Sequence, residues 1–295
     1  MYLPKNAHRR TAAVIFIAPS FIGLIVFLLI PIVSSLVFSQ MDYDLLAGTF
    51  DWLGLKNFTR IFTGREFPNV LLHTLTYLGL YMPLMLTAAL AQGMLLNKAF
   101  KGRQVFRTIF YLPVITSWVA ASVLWMWILS GKYGLLNQML SAIGISGPAW
   151  LSSKVWAMPG IVLAAIWKDT GFYALMVLAG LKSIDTMYYE AAAIDGAGSV
   201  RRFFNITMPL LSPTLFLLVV INVIAGLQVF EPILIMTEGG PGGATTVFLE
   251  RIYRYAFTQY KMGMASAYSW ILFLIILVFT AVQFRLQKRW VNYDT

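Results

Sequence analysis

The chain has 295 residues, of which 59% are hydrophobic and 12% are charged, and its formal net charge is +10 at pH 7. Soluble domains are typically about 45–50% apolar and about 25% charged, so this composition indicates a protein that places most of its surface in lipid. It excludes intrinsic disorder and collagen-like repeats, and the absence of cysteine excludes a disulfide scaffold. A charge of +10 also suggests nucleic-acid binding, so the positions of the basic residues matter.

Long apolar runs recur along the chain, and a helix that crosses the hydrocarbon core needs about 20 mainly apolar residues. They predict an all-α membrane protein with six transmembrane helices, at 12–39, 70–96, 106–129, 156–181, 209–230 and 263–285. Strand alternation typical of a barrel is absent. The first run is too long for a signal peptide and ends in no small-residue cleavage site, so we expect a retained anchor. Prolines within the runs are expected to be ordinary kinks.

The basic residues concentrate on one side of the predicted membrane. The connecting segments on that side carry a net charge of +9, whereas the opposite loops carry +1. Because Lys and Arg are enriched in cytoplasmic loops, both termini are predicted to be cytoplasmic. The charge is therefore a topology signal, and we expect no nucleic-acid partner. The basic residues of this side are Lys5, Arg9, Arg10, Lys98, Lys101, Arg103, Arg107, Lys182, Arg201, Arg202, Arg285, Lys288 and Arg289.

The predicted spans divide the chain into three parts. Residues 1–69 comprise a cytoplasmic tail, the first transmembrane helix and the first outer loop. Residues 70–285 form a five-helix core that includes a cytoplasmic loop at 187–209, and residues 286–295 form a cytoplasmic tail.

The loop at 187–209 is more apolar than a simple connector needs to be. Met187–Asp195 favours a helix, which Gly196 and Gly198 would end. Ser199 is expected to cap a second short helix at 200–206. Exposed apolar residues in such a loop usually indicate a docking surface.

This loop resembles the EAA loop of ABC importer permeases. The matching residues are Glu190, Ala191, Ala192, Gly196, Ile206 and Pro209, at the family's spacing, with Met208 where leucine is usual. Two further segments, Trp52–Phe58 and Thr237–Pro241, resemble the carbohydrate-uptake branch, in its maltose- and glycerol-phosphate-permease-like subunits.

The resemblance implies a type I importer in a bacterial or archaeal cytoplasmic membrane. In such an importer a second permease, a pair of ATPase subunits and an extracytoplasmic solute-binding protein are partners. The six matching loop residues would dock into the ATPase; for Glu190, capping of its own loop is the alternative. The chain contains no G-x-x-x-x-G-K-[ST] phosphate loop, so ATP and magnesium are expected in the partner, and this chain is expected to be no enzyme. We also expect no catalytic residue, cofactor or metal ligand in it.

Polar groups at membrane depth are candidates for the solute path. Asp169, Phe172 and Tyr173 share one helical face, where a carboxylate can accept sugar hydroxyls while aromatic rings cover the sugar. The resemblance implies that residues following Trp167 contact solute in maltose-type members. A structural pair of Lys168 with Asp169, or a bond to the partner permease, is the alternative.

The fifth span offers a second set of candidates. Asn222 and Gly226 lie on one face, and alignment of Thr237–Pro241 with the family matches that face to the place where the ligand is held. Gly226 would leave room for the solute, and Gln228 is predicted to point away from this face. A helix–helix hydrogen bond is the alternative for Asn222. The glycine-rich segment that follows, Thr237–Thr246, is expected to be flexible and to contact the binding protein.

Two other functions are compatible with parts of the sequence. Gly144–Gly147 is similar to a rhomboid-type serine protease motif, but His8 and His73 are poorly placed to serve as the base for Ser146. A secondary transporter or channel fits six spans, although no inverted repeat is visible. Because Lys168 is the one buried basic group, a neutral glycan is preferred over a phosphate ester as the solute.

Overall fold

The computed structural model describes residues 5–292, with side chains from residue 13 onward, so that residues 1–4 and 293–295 of the predicted tails lie outside the described residues. The chain divides into two compact units. The smaller unit comprises the residues up to Gly64 together with Ile252–Ile271, and the larger unit comprises Arg65–Arg251 and the residues from Leu272 onward.

The smaller unit begins with one long apolar helical stretch. It consists of α1 (Lys5–Leu24), a π-helical segment (Ile25–Leu29) and α2 (Ile30–Phe38). None of the apolar window within residues 13–38 is buried by the rest of the chain. This stretch therefore presents its apolar side chains outward on all sides, as a membrane helix does.

A short hairpin follows the first apolar stretch, where the sequence predicted only helices and loops. Strands β1 (Met41–Asp44) and β2 (Thr49–Trp52) pair antiparallel, with Met41 opposite Trp52. At the turn, Asp44 accepts hydrogen bonds from the backbone N–H groups of Ala47 and Leu46, and these bonds hold the pKa of its carboxyl group below the usual range.

Helix α3 (Lys56–Thr63) is attached to this hairpin through one buried amide. The Nδ2 of Asn57 donates to the carbonyl oxygens of Ser39 and Met41, at 3.0 and 2.9 Å. Asn57 belongs to the motif Trp52–Phe58 that resembles the carbohydrate-uptake branch. Its physical role is therefore to fold the first loop, because it satisfies two backbone carbonyls that the hairpin leaves free.

The larger unit is helical throughout its described residues, apart from loops. Its helices are α4 (Glu66–Asn97), α5 (Arg103–Ile115), α6 (Trp118–Ile128), α7 (Leu135–Ala142), α8 (Ala157–Ser183), α9 (Thr186–Ile194), α10 (Ser199–Arg202), α11 (Met208–Leu227) and α12 (Glu231–Met236). A π-helical segment, Phe203–Thr207, joins α10 to α11 without a break. Two further helices, α13 (Phe248–Tyr253) and α14 (Met262–Gln287), each begin in one unit and end in the other.

Within the described residues, five helical stretches are long and apolar enough to cross a membrane. They are Ala13–Phe38, Glu66–Asn97, Ala157–Ser183, Ser199–Met236 and Met262–Gln287. The predicted third span, 106–129, is not one continuous helix, because α5 and α6 are bent by 101° at the residues between them. The expectation of an ordinary kink at Pro113 is therefore wrong, whereas helices run on through Pro19, Pro83 and Pro213.

The core of the larger unit forms where α8 packs against α4, and small residues bring the two helices together. A Cβ added to Gly93 of α4 would lie 2.5 Å from Cγ1 of Val177 and 3.0 Å from the carbonyl oxygen of Ala174, both on α8. In lipid, such close approach replaces the hydrophobic effect as the source of helix association, because it maximises van der Waals contact.

We expect the substitution Gly93→Ala to lower the midpoint of thermal unfolding of the purified protein, followed by tryptophan fluorescence. Overpacking costs about 1–3 kcal/mol, and this exceeds the gain of about 0.5–1 kcal/mol from replacing a helical glycine with alanine. Gly79→Ala is the matched control on α4, because nothing lies within 4 Å of its added Cβ. Equal midpoints for the two variants would contradict close packing at Gly93.

Candidate solute cavity and coupling loop

A cavity of about 230 Å³, here called the central cavity, lies between α4, α6, α8 and the residues that join α11 to α12. Its lining combines aromatic rings with carboxylate and amide groups. The lining residues are Tyr77, Tyr81, Trp118, Asp169, Ala225, Gln228, Val229, Phe230, Glu231 and Pro232. Asp169 lies twelve residues into α8, which is about 18 Å along the axis of that long helix. The cavity therefore lies near the middle of the predicted membrane span.

The bend between α5 and α6 is fixed by Lys168, a residue of α8. Its Nζ donates to the carbonyl oxygen of Val114 at 2.9 Å and lies 5.4 Å from the centroid of the Trp118 ring. Val114 belongs to the last turn of α5, whose carbonyl groups have no partner within the helix. Lys168 therefore contacts both sides of the break, and its buried ammonium group replaces a missing backbone hydrogen bond.

The local sequence explains why the helix breaks at this point. Pro113 has no N–H to donate and disfavours the helical conformation around it. Ser117 then starts α6, because its Oγ accepts a hydrogen bond from the N–H of Ala120 at 3.2 Å. The hydroxyl of Thr116 donates to the carbonyl oxygen of Pro113 at 2.6 Å. The carbonyl groups of Pro113 and Val114 at the bend therefore both have hydrogen-bond donors, as a membrane interior requires.

The structure separates the three predicted solute residues of α8. Asp169 lines the central cavity, where its carboxylate is 26% exposed and lies 3.8 Å from Nζ of Lys168. Tyr173 is buried and is not among the residues that line the cavity. Phe172 does not line the cavity, since its ring is 41% exposed and packs edge-on against Tyr173. The i, i+3, i+4 face therefore brings one of the three residues to the cavity.

The face of α11 predicted to hold the solute, with Asn222 and Gly226, makes contacts within and between helices instead. Asn222 is completely buried, and its Nδ2 donates to the carbonyl oxygen of Leu218 in its own helix at 3.2 Å. A Cβ added to Gly226 would lie 2.7 Å from Cδ1 of Leu78, so the space beside this glycine belongs to α4 rather than to a solute. Gln228, which the helical periodicity directed away, lines the cavity. The periodicity fails there because α11 ends at Leu227.

The loop that resembles the EAA motif folds as a helix with a well-defined end. Helix α9 begins with Asp185, whose carboxylate accepts from the N–H of Met187 at 2.9 Å. Gly196 ends the helix with φ of +73°. Two backbone bonds, from Gly196 to the carbonyl of Ala193 and from Ala197 to that of Ala192, form a Schellman motif. The glycine of the motif therefore supplies the left-handed residue that this helix end requires.

The rest of the loop differs from the prediction in one detail. Ser199 is the first residue of α10 and makes no side-chain cap. The hydroxyl groups of Tyr189 and Thr207, 3.0 Å apart, connect α9 to the segment before α11. Ile206 and Pro209 lie half-buried in and just after this segment.

The loop exposes apolar residues together with charged residues of both signs. Among its apolar residues, Ile194 is 88% exposed, Val200 69% and Phe204 63%. Glu190 is exposed on α9 and has no hydrogen bond or ion pair with any described residue. The capping role considered for Glu190 is taken by Asp185 instead, so the Glu190 carboxylate is available to a partner.

The glycine-rich segment Thr237–Thr246 is held together by its own hydrogen bonds, although its composition predicted flexibility. The hydroxyl groups of Thr237 and Thr245 are 2.8 Å apart, and the hydroxyl of Thr245 donates to the carbonyl of Gly240 at 2.7 Å. Thr245 and Thr246 are buried. The hydroxyl groups of Thr237 and Thr245 therefore join the two ends of this segment by hydrogen bonds.

The structure gives no support to a protease site in the described residues. No hydrogen bond joins Ser146 to a histidine, and the side chain of His8 lies outside the described residues. Within the same limits, no group of three or more His, Cys, Asp or Glu residues could hold a metal ion.

Comparison with known proteins assigns the family. Residues 92–292 match the family described as binding-protein-dependent transport system inner membrane component. The chain is therefore a member of that family of transport permeases, and the resemblance found in the EAA loop is confirmed.

Individual relatives cover nearly the whole chain. It is 38% identical over 285 residues to the probable ABC transporter permease protein YesP of Bacillus subtilis (strain 168), covering 95% of this chain and 91% of that protein. It is 34% identical over 277 residues to the trehalose/maltose transport system permease protein MalF of Thermococcus litoralis, covering 93% and 92%.

A solved structure shares the fold. A chain from the bacterial alginate ABC transporter, crystallised with an alginate pentasaccharide-bound periplasmic protein, superposes with a TM-score of 0.85 at 27% identity, covering 97% of both chains. The fold is therefore that of type I ABC importer permeases.

We expect Lys168→Met to widen the range of angles that α5 and α6 adopt relative to each other. The substitution removes a charge-assisted hydrogen bond worth about 1.5–3 kcal/mol. The chain has no cysteine, so cysteines introduced at the exposed positions Ile109 and Val123 would be its only spin-labelled sites. Pulsed electron paramagnetic resonance should give one narrow distance in the parent and a broad distribution in Lys168→Met. Lys168→Arg should restore the narrow distance, and Lys182→Met, at an exposed lysine of α8, is the control. An unchanged distribution in Lys168→Met would show that the bend does not depend on this lysine.

Proposed function

We propose that this chain is a permease subunit of a binding-protein-dependent ABC importer for a sugar or related solute. It forms the translocation path together with a second, homologous permease. The observation that carries the proposal is the EAA loop, which folds as an exposed helix ended by Gly196 and adjoins the helices that surround the central cavity. A connector without a partner has no need of the exposed apolar residues in this loop.

Energy for transport comes from a separate pair of ATPase subunits, to which ATP and magnesium bind. Glu190, Ala191 and Ala192 lie on α9, and Gly196 ends it. The matching residues Ile206 and Pro209 lie where the loop joins α11. Because α11 runs without a break from this loop towards Gln228, a movement imposed on the loop reaches the cavity through one rigid element.

The central cavity is the proposed solute site. Tyr77, Tyr81 and Trp118 line this space, so aromatic side chains border the proposed position of a sugar ring. Asp169, Gln228 and Glu231 supply acceptors for hydroxyl groups. Two carboxylates and no basic residue are among the described lining residues, which favours a neutral polyhydroxylated solute over a phosphate ester.

The orientation follows from the charge distribution and is part of the proposal. Both termini and the EAA loop face the cytoplasm, where the ATPase subunits dock, and the segment Thr237–Thr246 faces the solute-binding protein. Residues 1–69 then carry the first span and first outer loop, residues 70–285 the five-helix permease core, and residues 286–295 the final tail. The membrane is the cytoplasmic membrane of a bacterium or archaeon.

The competing function, a secondary transporter or channel, makes a different prediction. The importer proposed here transports only with its ATPase, ATP and the binding protein, so uptake into liposomes by this chain alone would contradict it.

Gly196→Ala should impair transport although it changes little volume. Alanine in the left-handed conformation costs about 1–2 kcal/mol, and the strain shifts or frays the end of α9. Gly198→Ala is the matched control, because Gly198 has an ordinary φ of −69° and no atom lies within 4 Å of either added Cβ. We expect binding-protein-stimulated ATPase activity and uptake to fall several-fold only in Gly196→Ala.

Gly196→Asp, which also adds charge to the docking surface, should abolish uptake with membrane insertion intact. Wild-type uptake in Gly196→Asp would contradict the coupling role.

Asp169→Asn and Gln228→Ala should each raise the solute concentration required for half-maximal uptake. A hydrogen bond to a charged group contributes about 1.5–3 kcal/mol, so we expect an increase of about tenfold for Asp169→Asn. Phe172→Leu is the control, since this ring on the same helix points away from the cavity. Uptake would be measured in the reconstituted complex with the solute that the binding protein carries. If Asp169→Asn needs the same solute concentration for half-maximal uptake as the parent does, while Phe172→Leu needs a higher one, the central cavity is not the solute site.

A further inference from the structure

A second and larger space, separate from the central cavity, is lined by other residues of α4. This space, here called the α4–α8 groove, has a volume of about 620 Å³ and lies at the beginnings of α4 and α8. Along α4 its wall runs from Glu66 to Leu80, which is about 21 Å along the helix axis. None of the residues that line the central cavity lines it, whereas Gly242, Gly243, Ala244 and Thr246 belong to the segment proposed above to face the solute-binding protein.

The mouth of the groove is positively charged. Glu66 and Arg251 neutralise each other in an ion pair of 2.8 Å. Lys154 reaches over Gly242, where an added Cβ would lie 3.0 Å from the lysine Cε. Within residues 5–292, the Nζ of Lys154 makes no hydrogen bond or ion pair, so its positive charge is uncompensated.

Further donors without acceptors lie beside this lysine. Gly242 and Gly243 have φ of +58° and +82°, and their N–H groups donate no hydrogen bond to any described residue. The Nδ1 of His73, deeper on the same wall, also has no partner there. An ammonium group beside free backbone N–H groups is an arrangement that binds phosphate or carboxylate oxygens.

The floor of the groove is mainly apolar. Val70 and Leu80 of α4, Met158 and Pro159 of α8 and the preceding Val155 line it, together with the polar side chains of Asn69, His73 and Thr76 on α4. Apart from His73, no aromatic side chain is among the described lining residues, in contrast to the rings of the central cavity. A sugar would therefore find anion-binding groups at the mouth and no stacking surface below, whereas an acyl chain fits this floor.

We propose that the α4–α8 groove binds the headgroup of an anionic phospholipid. Its phosphate contacts Lys154 and the N–H groups of Gly242 and Gly243, and one acyl chain follows the apolar floor. A depth of about 21 Å along α4 extends well into a hydrocarbon core that is about 30 Å thick.

Native mass spectrometry of the assembled transporter, taken from nanodiscs that contain equal amounts of dioleoylphosphatidylglycerol and dioleoylphosphatidylcholine, tests this proposal. We expect one retained phosphatidylglycerol for each copy of this permease. Lys154→Gln should lower that retention about fivefold, as loss of one lysine contact with an anionic headgroup predicts. Lys132→Gln is the matched control, because Lys132 lies over the ring of Tyr133 outside the groove.

A second variant tests the floor without changing the charge. Ala244 lines the groove, and Ala244→Phe should displace the lipid whether or not Lys154 is present. The proposal is overturned if no lipid is retained, if Lys154→Gln retains as much as Lys132→Gln, or if 10-fold molar excess of inorganic phosphate displaces the bound species, which would identify a free-anion site. The assembled sample rests on the proposed function, but transport activity does not enter these measurements, so failure to retain lipid and failure to transport are distinguishable outcomes.

Discussion

A backbone carbonyl that is not hydrogen-bonded within a helix is costly at membrane depth, and this constraint determines the form of the third span. Helix α5 ends at Ile115, two residues after Pro113, and Ser117 caps the start of α6, so the last carbonyls of α5 need donors from elsewhere. Lys168 supplies one of them from a different helix. A buried lysine costs about 2.5–3.5 kcal/mol on insertion scales, and its bond to Val114, its contact with Trp118 and its pairing with Asp169 offset that cost. The break therefore places an aromatic ring and a carboxylate on the same cavity wall.

Close approach of the helices around the break depends on glycine. Gly171 of α8 contacts the carbonyl oxygen of Phe110 on α5, and Gly180 contacts Thr214 of α11. Gly226 similarly allows α11 to approach Leu78 of α4. Helices held this closely leave little free volume between them, and the central cavity lies where Tyr77, Tyr81 and Trp118 line the space between the helices.

Sequence reasoning found the features that depend on short stretches of the chain. The length of apolar runs locates the spans, and the spacing from Glu190 to Pro209 identifies the loop, whose glycine has a purely local role. It failed where the deciding contact comes from far along the chain. Val114 and Lys168 are 54 residues apart, and no local pattern indicates that they meet. Asn222 and Gly226 have the residue types of a solute site, but their surroundings are set by α4.

Two further differences have simpler physical causes. A helical wheel assigns Gln228 to the wrong direction because the helix has already ended at Leu227. The hairpin around Asp44 is made of four-residue strands, which are too short to produce a periodic signal. The aromatic residues of the cavity on α4, Tyr77 and Tyr81, have the i, i+4 spacing of one helical face, so that spacing could have identified them.

The Schellman end of α9 has a consequence for the energetics of assembly. Its two closing bonds, from Gly196 and Ala197, lie entirely within the loop's own backbone, and the contact between Tyr189 and Thr207 adds a side-chain connection. The loop therefore has its shape before any partner arrives, and association loses little conformational entropy there. In the proposed docking to the ATPase, most of the free energy gained by burying the apolar side chains of Ile194, Val200 and Phe204 would remain available as binding affinity.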